Sequence, residues 1–424
     1  MNDWHKSNWA GSVVFSAARY HQPKSLAQVQ EIVRSASKVR VIGSRHCFHD
    51  IADTSGDLLW LGDMDHRVAI DREARTATVD GGVTYDALCP QLQEAGFALP
   101  NLASLKHITV VGACMTATHG SGNALGNLAT VVSKLEMVGA NGDVIELSRE
   151  RDGEVFNGAV VSIGALGVVT KVTLDLKTTF LMQQDNYEKL SFQELHAHFD
   201  EINAAGYSVS LFLTWQHDWV ETMWIKQRVS NLTPIKVPEN LFGATLASLH
   251  PSGVLPTDRI LTPFARPGVW HERLPHYAFH DALRTGNELQ SEYFVPREHA
   301  IAAIRAIAAL RTGLAPILGL SEIRTIRRDE LWLSSAYGQD AVGIHFNWLK
   351  DWAGVNAFLP TLEKALAPFG ARPHLGKLFA MSPAQLEAVY PRWSDFRALV
   401  KKVDPLGKFR NPFVEKYVMG VGGN

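Results

Sequence analysis

Cysteine is scarce in this chain. There are three in 424 residues (Cys47, Cys89 and Cys114), and no two form a C-x-x-C pair. That excludes a disulfide framework and a cysteine zinc knuckle, and fits free thiols in a reducing compartment. Long apolar runs are missing too, which excludes a membrane-spanning helix. The first residues, Met1–Lys6, carry no apolar leader stretch. A cytoplasmic location is therefore expected. Charge of one sign is also lacking: 41 Lys and Arg against 43 Asp and Glu leave a formal net charge of −2. Nothing there argues for nucleic acid or an anionic membrane as a partner. Internal repeats and low-complexity tracts are absent. What remains is the composition of an ordinary globular protein, 46% hydrophobic and 20% charged. Its length exceeds what one hydrophobic core usually supports, so two domains are expected.

The pattern of elements changes near residue 177. Before it, Ser25 and Gln28 fit a capping box, and Leu26, Val29, Ile32 and Val33 form one helical face. Strands are expected at Val39–Ile42, Leu58–Leu61, Val68–Ile70 and Thr76–Val79, and a helix at Tyr85–Ala95. Asn141-Gly142 between Leu135–Val138 and Val144–Leu147 is a hairpin signal. Val168–Leu176 closes this block. Beyond it, strands fit 208–215, 223–226, 289–295, 320–326 and 341–348. Helices fit 299–310 and 356–367. The proline-bearing stretch 231–267 has no periodicity and is expected to be a lid or functional loop. Ser382, Pro383 and Gln385 start another helix.

The most informative segment is Gly43–His49. A short β-branched strand meets a Gly43-Ser44 turn, and His46 follows at once. Such a turn leaves backbone N–H groups unpaired, a nest that can hold phosphate oxygens. Residues 116–122 offer hydroxyl and backbone donors, and 164–169 let main chain come close to a flat ligand. The spacing of Gly120, Gly122 and Gly126 approaches a dinucleotide fingerprint. It lacks the preceding strand, the following helix and the acidic residue about 20 positions on, so a nicotinamide site is rejected. Any one glycine cluster alone is most simply a surface turn. His46 and His49 could in principle bind zinc, but no Cys or Glu ligand run accompanies them.

On the second half, side chains two apart on a strand share a face. Glu322 with Arg324, His345 with Asn347 and Gln290 with Glu292 are such couples, and Ile323, Phe346 and Trp348 beside them are apolar. A polar-walled cavity would give this pattern, and so would the solvated face of an antiparallel sheet.

The chain resembles the alditol and xylitol oxidase branch of the vanillyl-alcohol-oxidase superfamily. The resemblance rests on Gly43–His49, Asn8–Gly11, Leu99–Ser104, Thr118–Gly122, Leu289–Phe294, Ser321–Thr325, His345–Trp348, Arg372–Lys377 and Asp404–Asn411. It implies an α+β, two-domain flavoprotein. Residues 1–176, completed by about 372–424, would form an FAD domain of two small sheets with helices. Residues 177–371 would form a substrate cap with a large antiparallel sheet. The resemblance also implies FAD bound covalently through an 8α-histidyl link to His46. The cofactor would be lined by Gly43, Ser44, Arg45, Cys47, Phe48, His49, Ser104, Thr109, Gly112, Thr116, Ala117, Thr118, His119, Gly122, Val168, Val169 and His374. Position 45 looks like glycine in relatives. Arg45 would tolerate φ > 0 poorly, or could reach the pyrophosphate.

The substrate implied is a polyol, oxidised at its terminal C1 hydroxyl, with O2 as electron acceptor and hydrogen peroxide as product. Each hydroxyl both donates and accepts, so a polyol needs fixed partners of both kinds. Ser104, Gln290, Glu322, Arg324, His345, Asn347 and Lys377 are the expected contacts. Arg324 and Lys377 are expected to stabilise the developing alkoxide, with Lys377 first and His345 second as proton acceptor. Glu322 is expected to orient Arg324. Relatives carry threonine at the position of Asn347. Ala103, small and next to Ser104, is expected to leave a path for O2. A monomer is expected. The nearest rival is an aldonolactone oxidase or dehydrogenase on the same scaffold. A flavin-storage or carbohydrate-binding protein without turnover is the alternative from another class.

Overall fold

Ser25 caps the first helix, Leu26–Ser35, by accepting the N–H of Gln28. The box closes on only one side, because Gln28 Oε1 takes the N–H of Lys24 at 2.7 Å. The helix buries Val29 and Val33 against the strand Val39–Ile42. That strand pairs in parallel with Asp57–Trp60, which pairs in parallel with Arg19–His21. The result is one small sheet. A second has five antiparallel strands in the order Val68–Asp71, Thr76–Asp80, Val168–Asp175, Val132–Val138 and Val144–Ser148. Gly142, at φ +83, makes the turn between the last two. The computed structural model describes residues 6–248, 261–277 and 286–421.

The large sheet is antiparallel. Its path runs Asn240–Leu241, Ala244–Leu246, Leu181–Ser191, Trp219–Val229, Ser208–Leu213, Leu318–Ile326, Ala341–Leu349, Glu288–Pro296 and Arg372–Pro373. One face carries Leu211, Met223, Tyr293, Ile323, Ile344, Phe346 and Trp348 into the main core, with Ile304 and Ile307 of the Ala300–Ala308 helix and Leu359 and Leu362 of the Trp352–Leu366 helix. The other face carries the polar couples. Part of the 231–267 stretch thus adds short edge strands. Residues 249–260 of it lie outside the described residues.

The chain returns at its end to the first domain. Lys408 O accepts from Val39 N at 2.8 Å, and Lys38 Nζ donates to Gly407 O at 2.7 Å. Asn411 Nδ2 reaches three carbonyls between the strands Val39–Ile42 and Asp57–Trp60, those of Asp50, Ile51 and Asp53, at 2.9–3.1 Å. Arg40, buried in the Val39–Ile42 strand, donates to the carbonyls of Phe409, Gly164 and Ile163 at 2.7–3.0 Å. A single guanidinium thereby ties strand, tail and the 162–167 loop together, as its five fixed donors allow.

Two long elements were not expected from sequence. Leu181–Ser191 is an 11-residue strand whose middle is Gln183, Gln184, Asp185 and Asn186, all buried. Arg149–Val160 is a helix broken at Gly153.

Candidate active site

A cavity of about 820 Å³ lies between the two small sheets and the polar face of the large one. Gly43, Ser44, Arg45, His46, Cys47, His49, Ser104, Thr109, Gly112, Thr116, Thr118, His119 and Val169 line its first-domain side. Ser104 and Ala103 stand at the junction, and Gln290, Glu322, Arg324, His345, Asn347, His374 and Lys377 line the far side. Four of the expected cofactor-lining residues lie off the wall. Phe48 packs edge-on to Trp9. Val168 packs beneath Val138 and Leu59. Ala117, at φ +53, and Gly122, at φ +146, shape the backbone behind the wall. A side chain at Gly122 would run into Tyr207 O.

The histidine loop is gripped by the N-terminal segment. Asn8 Nδ2 donates to Cys47 O at 3.0 Å, and Trp9 N donates to Arg45 O at 2.8 Å. The Trp9 indole stacks on the His46 ring with centroids 4.9 Å apart. His46 Nδ1 lies 3.0 Å from Ser44 O, and its Nε2 lies 3.2 Å from Nε2 of His107. Burial, with His107 beside it, pushes the His46 imidazole down to about 3. It is therefore neutral near pH 7, with one ring nitrogen keeping its lone pair.

Arg45 does take the left-handed conformation, at φ +63. Its guanidinium is tied to the N-terminal segment. Nη1 donates to Ser7 O at 2.8 Å. The backbone strain, of order 1–3 kcal/mol, is offset by a bond to the segment that carries Trp9. His49 is also fixed: Nε2 bonds Leu375 O at 2.7 Å, Nδ1 accepts from Ile51 N, and the ring stacks on Phe413. Both its nitrogens are used, and it does not converge with His46 on a metal position.

The nest fits FAD. Thr109 Oγ1 is buried with no hydrogen-bond partner among the described residues, and it faces Gly43 and Gly112. Any Cβ at those two glycines would press on that oxygen, so the cradle depends on their absence. A buried hydroxyl left unpaired costs about 1–3 kcal/mol, and a phosphate oxygen would satisfy it.

The far wall is built from cross-strand neighbours. Glu322 pairs with His345, and His345 pairs in turn with Glu292, so three adjacent strands set the three side chains in one row. The next row sets Asn347 opposite Gln290. The hub is Glu292, which sequence reasoning noticed only as a partner of Gln290. Its Oε1 accepts from Arg324 Nη2 at 2.7 Å and lies 3.0 Å from His119 Nε2, while its Oε2 accepts from Lys377 Nζ at 2.7 Å. Burial alone would raise this carboxyl, but Lys377, His119 and Arg324 outweigh burial and hold it well below the usual range. Gly343 lies opposite Arg324, where a Cβ would press on Glu292 Oε1.

Glu322, expected to orient Arg324, forms an ion pair with it at 3.5 Å through Nε, which makes no hydrogen bond among the described residues. Glu322 Oε1 instead takes His276 Nε2 at 2.7 Å. The hydrogen bond to Arg324 comes from Glu292, which sits on the guanidinium's terminal edge, so both carboxylates hold it.

Lys377 Nζ also lies 2.6 Å from His345 Nδ1, and His345 Nε2 lies 2.5 Å from Asn347 Oδ1. An ammonium donating to Nδ1 and an Nε2–H donating to the amide oxygen satisfy every atom in that chain. Burial lowers Lys377 against the pull of Glu292, and burial with Lys377 lowers His345. At the distal end Gln290 Nε2 donates to Glu288 Oε1 at 2.6 Å, and burial raises the Glu288 carboxyl. His276, Tyr277 and Glu288 also line the cavity and had no sequence signal. Nothing in their local pattern sets them apart from core or surface residues.

Two small sheets holding a glycine cradle, joined to a large antiparallel sheet with a polar inner face, define the FAD-binding architecture of the vanillyl-alcohol-oxidase superfamily. Residues 17–148 match the FAD binding domain family, and residues 276–417 match the D-arabinono-1,4-lactone oxidase family. An alditol oxidase from a Streptomyces species is 42% identical over 98% of this chain and 99% of its own length. The L-gulono-1,4-lactone dehydrogenase of Mycobacterium tuberculosis is 29% identical over 97% of this chain and 98% of its own. The L-gulonolactone oxidase of Mus musculus is 28% identical over 96% and 97%. Among solved structures, a solvent-stable cholesterol oxidase superposes with a TM-score of 0.79 at 17% identity, covering 96% of each chain. That last likeness concerns the fold alone. The chain belongs to the alditol oxidase family of FAD-dependent oxidoreductases.

Proposed function

We propose that this protein oxidises the terminal C1 hydroxyl of an alditol, such as xylitol or sorbitol, to the aldose, with O2 as acceptor. The observation that carries the reading is one buried carboxylate, Glu292, shared by Arg324 and Lys377 at 2.7 Å each. Glu292 thereby sets two cationic donors side by side at the cavity wall, with Glu322 as a second carboxylate 3.5 Å from Arg324. Donors so placed can bond a substrate oxygen more strongly as an alkoxide than as an alcohol. Bound FAD, held by Gly43–Ser44, Thr109, Gly112 and Thr116–Thr118 and joined covalently to His46, would supply the acceptor for the C1 hydride and pass the electrons to O2 as hydrogen peroxide.

The chain's own groups do the rest. Arg324 donates to the substrate oxygen and lowers the cost of losing its proton. Lys377 in its neutral form takes that proton on the Nζ lone pair, and the ammonium so formed donates to the alkoxide and to His345 Nδ1. Glu322 accepts a further hydroxyl, and Gln290, Asn347 and Ser104 both donate and accept. Asn347, longer than threonine and fixed by His345, shortens the distal end and tunes polyol length. Neutral His46 presents the lone pair that attachment needs. The protein is further proposed to act as a cytoplasmic monomer.

Anaerobic xylitol should bleach the flavin band of the purified protein, and peroxide formation should be faster with xylitol than with gulonolactone. An acid-precipitated pellet should stay yellow for the native chain and turn white for His46→Ala. Faster turnover of gulonolactone would favour the lactone reading, and a flavin band unchanged by either substrate would leave a binding protein.

A further inference from the structure

Behind Glu322 lies a lysine that no step above employs. Lys226, on the strand Trp219–Val229, is 1% exposed. Its Nζ contacts three acceptors: Leu274 O at 2.5 Å, Pro275 O at 3.1 Å and His276 Nδ1 at 3.3 Å. No carboxylate pairs with it directly among the described residues. The nearest negative charge is Glu322, reached through His276, whose Nε2 lies 2.7 Å from Oε1. The imidazole is boxed edge-on by Phe212 and Trp224, with centroids 5.4 and 5.2 Å away. It has no freedom to flip.

The atom count fixes the protonation pattern. Three acceptors need three donors, and only an ammonium has three N–H bonds. Its donation to Nδ1 leaves the His276 proton on Nε2, directed at the Glu322 carboxylate. A neutral lysine would either abandon one contact or turn its lone pair to Nδ1. In the second case the Nε2 lone pair would face a carboxylate oxygen, which is repulsive. The charged groups facing Lys226 and His276 are Glu322, Arg324 and Arg273, and burial lowers both side chains, Lys226 to about 7 and His276 to about 4. The same segment reaches the first domain, since His276 N and Tyr277 N both donate to Ser104 O, at 3.0 and 3.3 Å.

We infer that Lys226 is a positioning residue for substrate binding: through the Nε2–H tautomer of His276 it holds Glu322 as an ionised, correctly turned acceptor for a polyol hydroxyl. The inference rests on the alditol reading for its substrate but not for the tautomer. It adds a remote third cation to a wall in which Arg324 and Lys377 stand against Glu292 and Glu322.

Two measurements test it, both on the flavin-loaded full chain. Nitrogen-15 histidine NMR near pH 6.5, with the signal assigned by its loss in His276→Gln, should show His276 neutral with the proton on Nε2. A proton on Nδ1, or an imidazolium, would overturn the inference whatever the substrate is. In steady-state assays with xylitol, Lys226→Met should raise KM about ten-fold, the order expected for one hydrogen bond to a charged group, with kcat within about two-fold. Lys226→Arg should recover most of the loss. In a Glu322→Gln background, Lys226→Met should add little, because the lysine acts through that carboxylate. An equal penalty in both backgrounds would overturn it, as would equal loss in kcat and KM unrelieved by arginine. If Lys226→Met does not fold, Lys226→Arg and His276→Gln carry the same comparison. Native protein that oxidises no alditol would sink the proposed function, while the NMR result would still decide the tautomer.

Discussion

At the scale of single residues, the site is governed by one carboxylate and its debts of charge. Glu292 is flanked by Arg324, Lys377 and His119 and raises the proton affinity of Lys377 against burial. Glu292→Gln keeps the shape and removes the charge. Arg324 and Lys377 would then be buried cations without their shared partner, a loss of about 3–5 kcal/mol for a broken buried pair. We expect kcat/KM for xylitol to fall by at least about 100-fold. The rising limb of its pH profile should move to lower pH, since Lys377 would lose the group that holds its proton. A limb that stayed in place would show that Lys377 is not the titrating group. The sequence disclosed much of this wall, because alternation along a strand put Glu322 and Arg324, and His345 and Asn347, on shared faces. It did not disclose who pairs with whom. The reach of Arg324 past Glu322 to Glu292 depends on Gly343 across the sheet, a fact of register that no local pattern contains.

At the scale of elements, strands with alternating apolar and polar residues were legible to within a few positions. Leu318–Ile326 and Ala341–Leu349 are examples. Leu181–Ser191 was not, since four consecutive polar residues carry no alternation. In the fold they are buried in a sheet covered on both faces, where Gln183 pairs with Asp185 and Gln184 with Asn186. Polar side chains that bond each other two residues apart erase the hydrophobic signal, although Gln184 Oε1 and Asn186 Nδ2 keep no partner among the described residues. The segment from Leu99 to Gly120 makes a sharper demand. A Cβ on Gly120 would overlap Asn101 Oδ1 and the backbone carbonyl of Leu102. Gly120→Ala should therefore displace Leu102–Ser104 at a cost of about 1–3 kcal/mol. Flavin content, read as visible absorbance per polypeptide, should drop below half of native while far-ultraviolet circular dichroism is kept. Full flavin loading in that variant would show that the segment has room to yield.

At the scale of the whole molecule, the cavity gathers buried imidazoles. His49, His119, His276, His345 and His374 are all lowered by burial. A group whose folded affinity for protons is depressed contributes stability above its unfolded value and loses it as pH falls toward the folded one. For histidine the loss begins near pH ~6.5. Glu292 and Glu322, also depressed, extend it below about pH 4.3. Each extra proton bound by the unfolded chain steepens the fall by about 1.4 kcal/mol per pH unit. The unfolding midpoint, followed by flavin fluorescence, should thus fall gently from pH 8 to 7, where the lowered Lys226 and Lys377 already leave the unfolded chain with more protons, and drop more steeply from 6.5 to 5 as the histidines join them. A flat midpoint down to pH 5 would contradict the buried neutral assignment. The split into small sheets and one large antiparallel sheet was foreseeable from the change of pattern near residue 177. The polar interior between the halves was not, because it belongs to neither half alone.

The grip of Asn411 on Asp50, Ile51 and Asp53, and of the 407–409 carbonyls on Lys38, Val39 and Arg40, has a consequence in time. During synthesis the pieces that cradle the flavin leave the ribosome long before the stretch that locks them. The nascent amino-terminal half must wait, open and unladen, while the entire cap is translated. The expected consequence is that cofactor capture comes last, and that a chain ending before Asp404 purifies without colour.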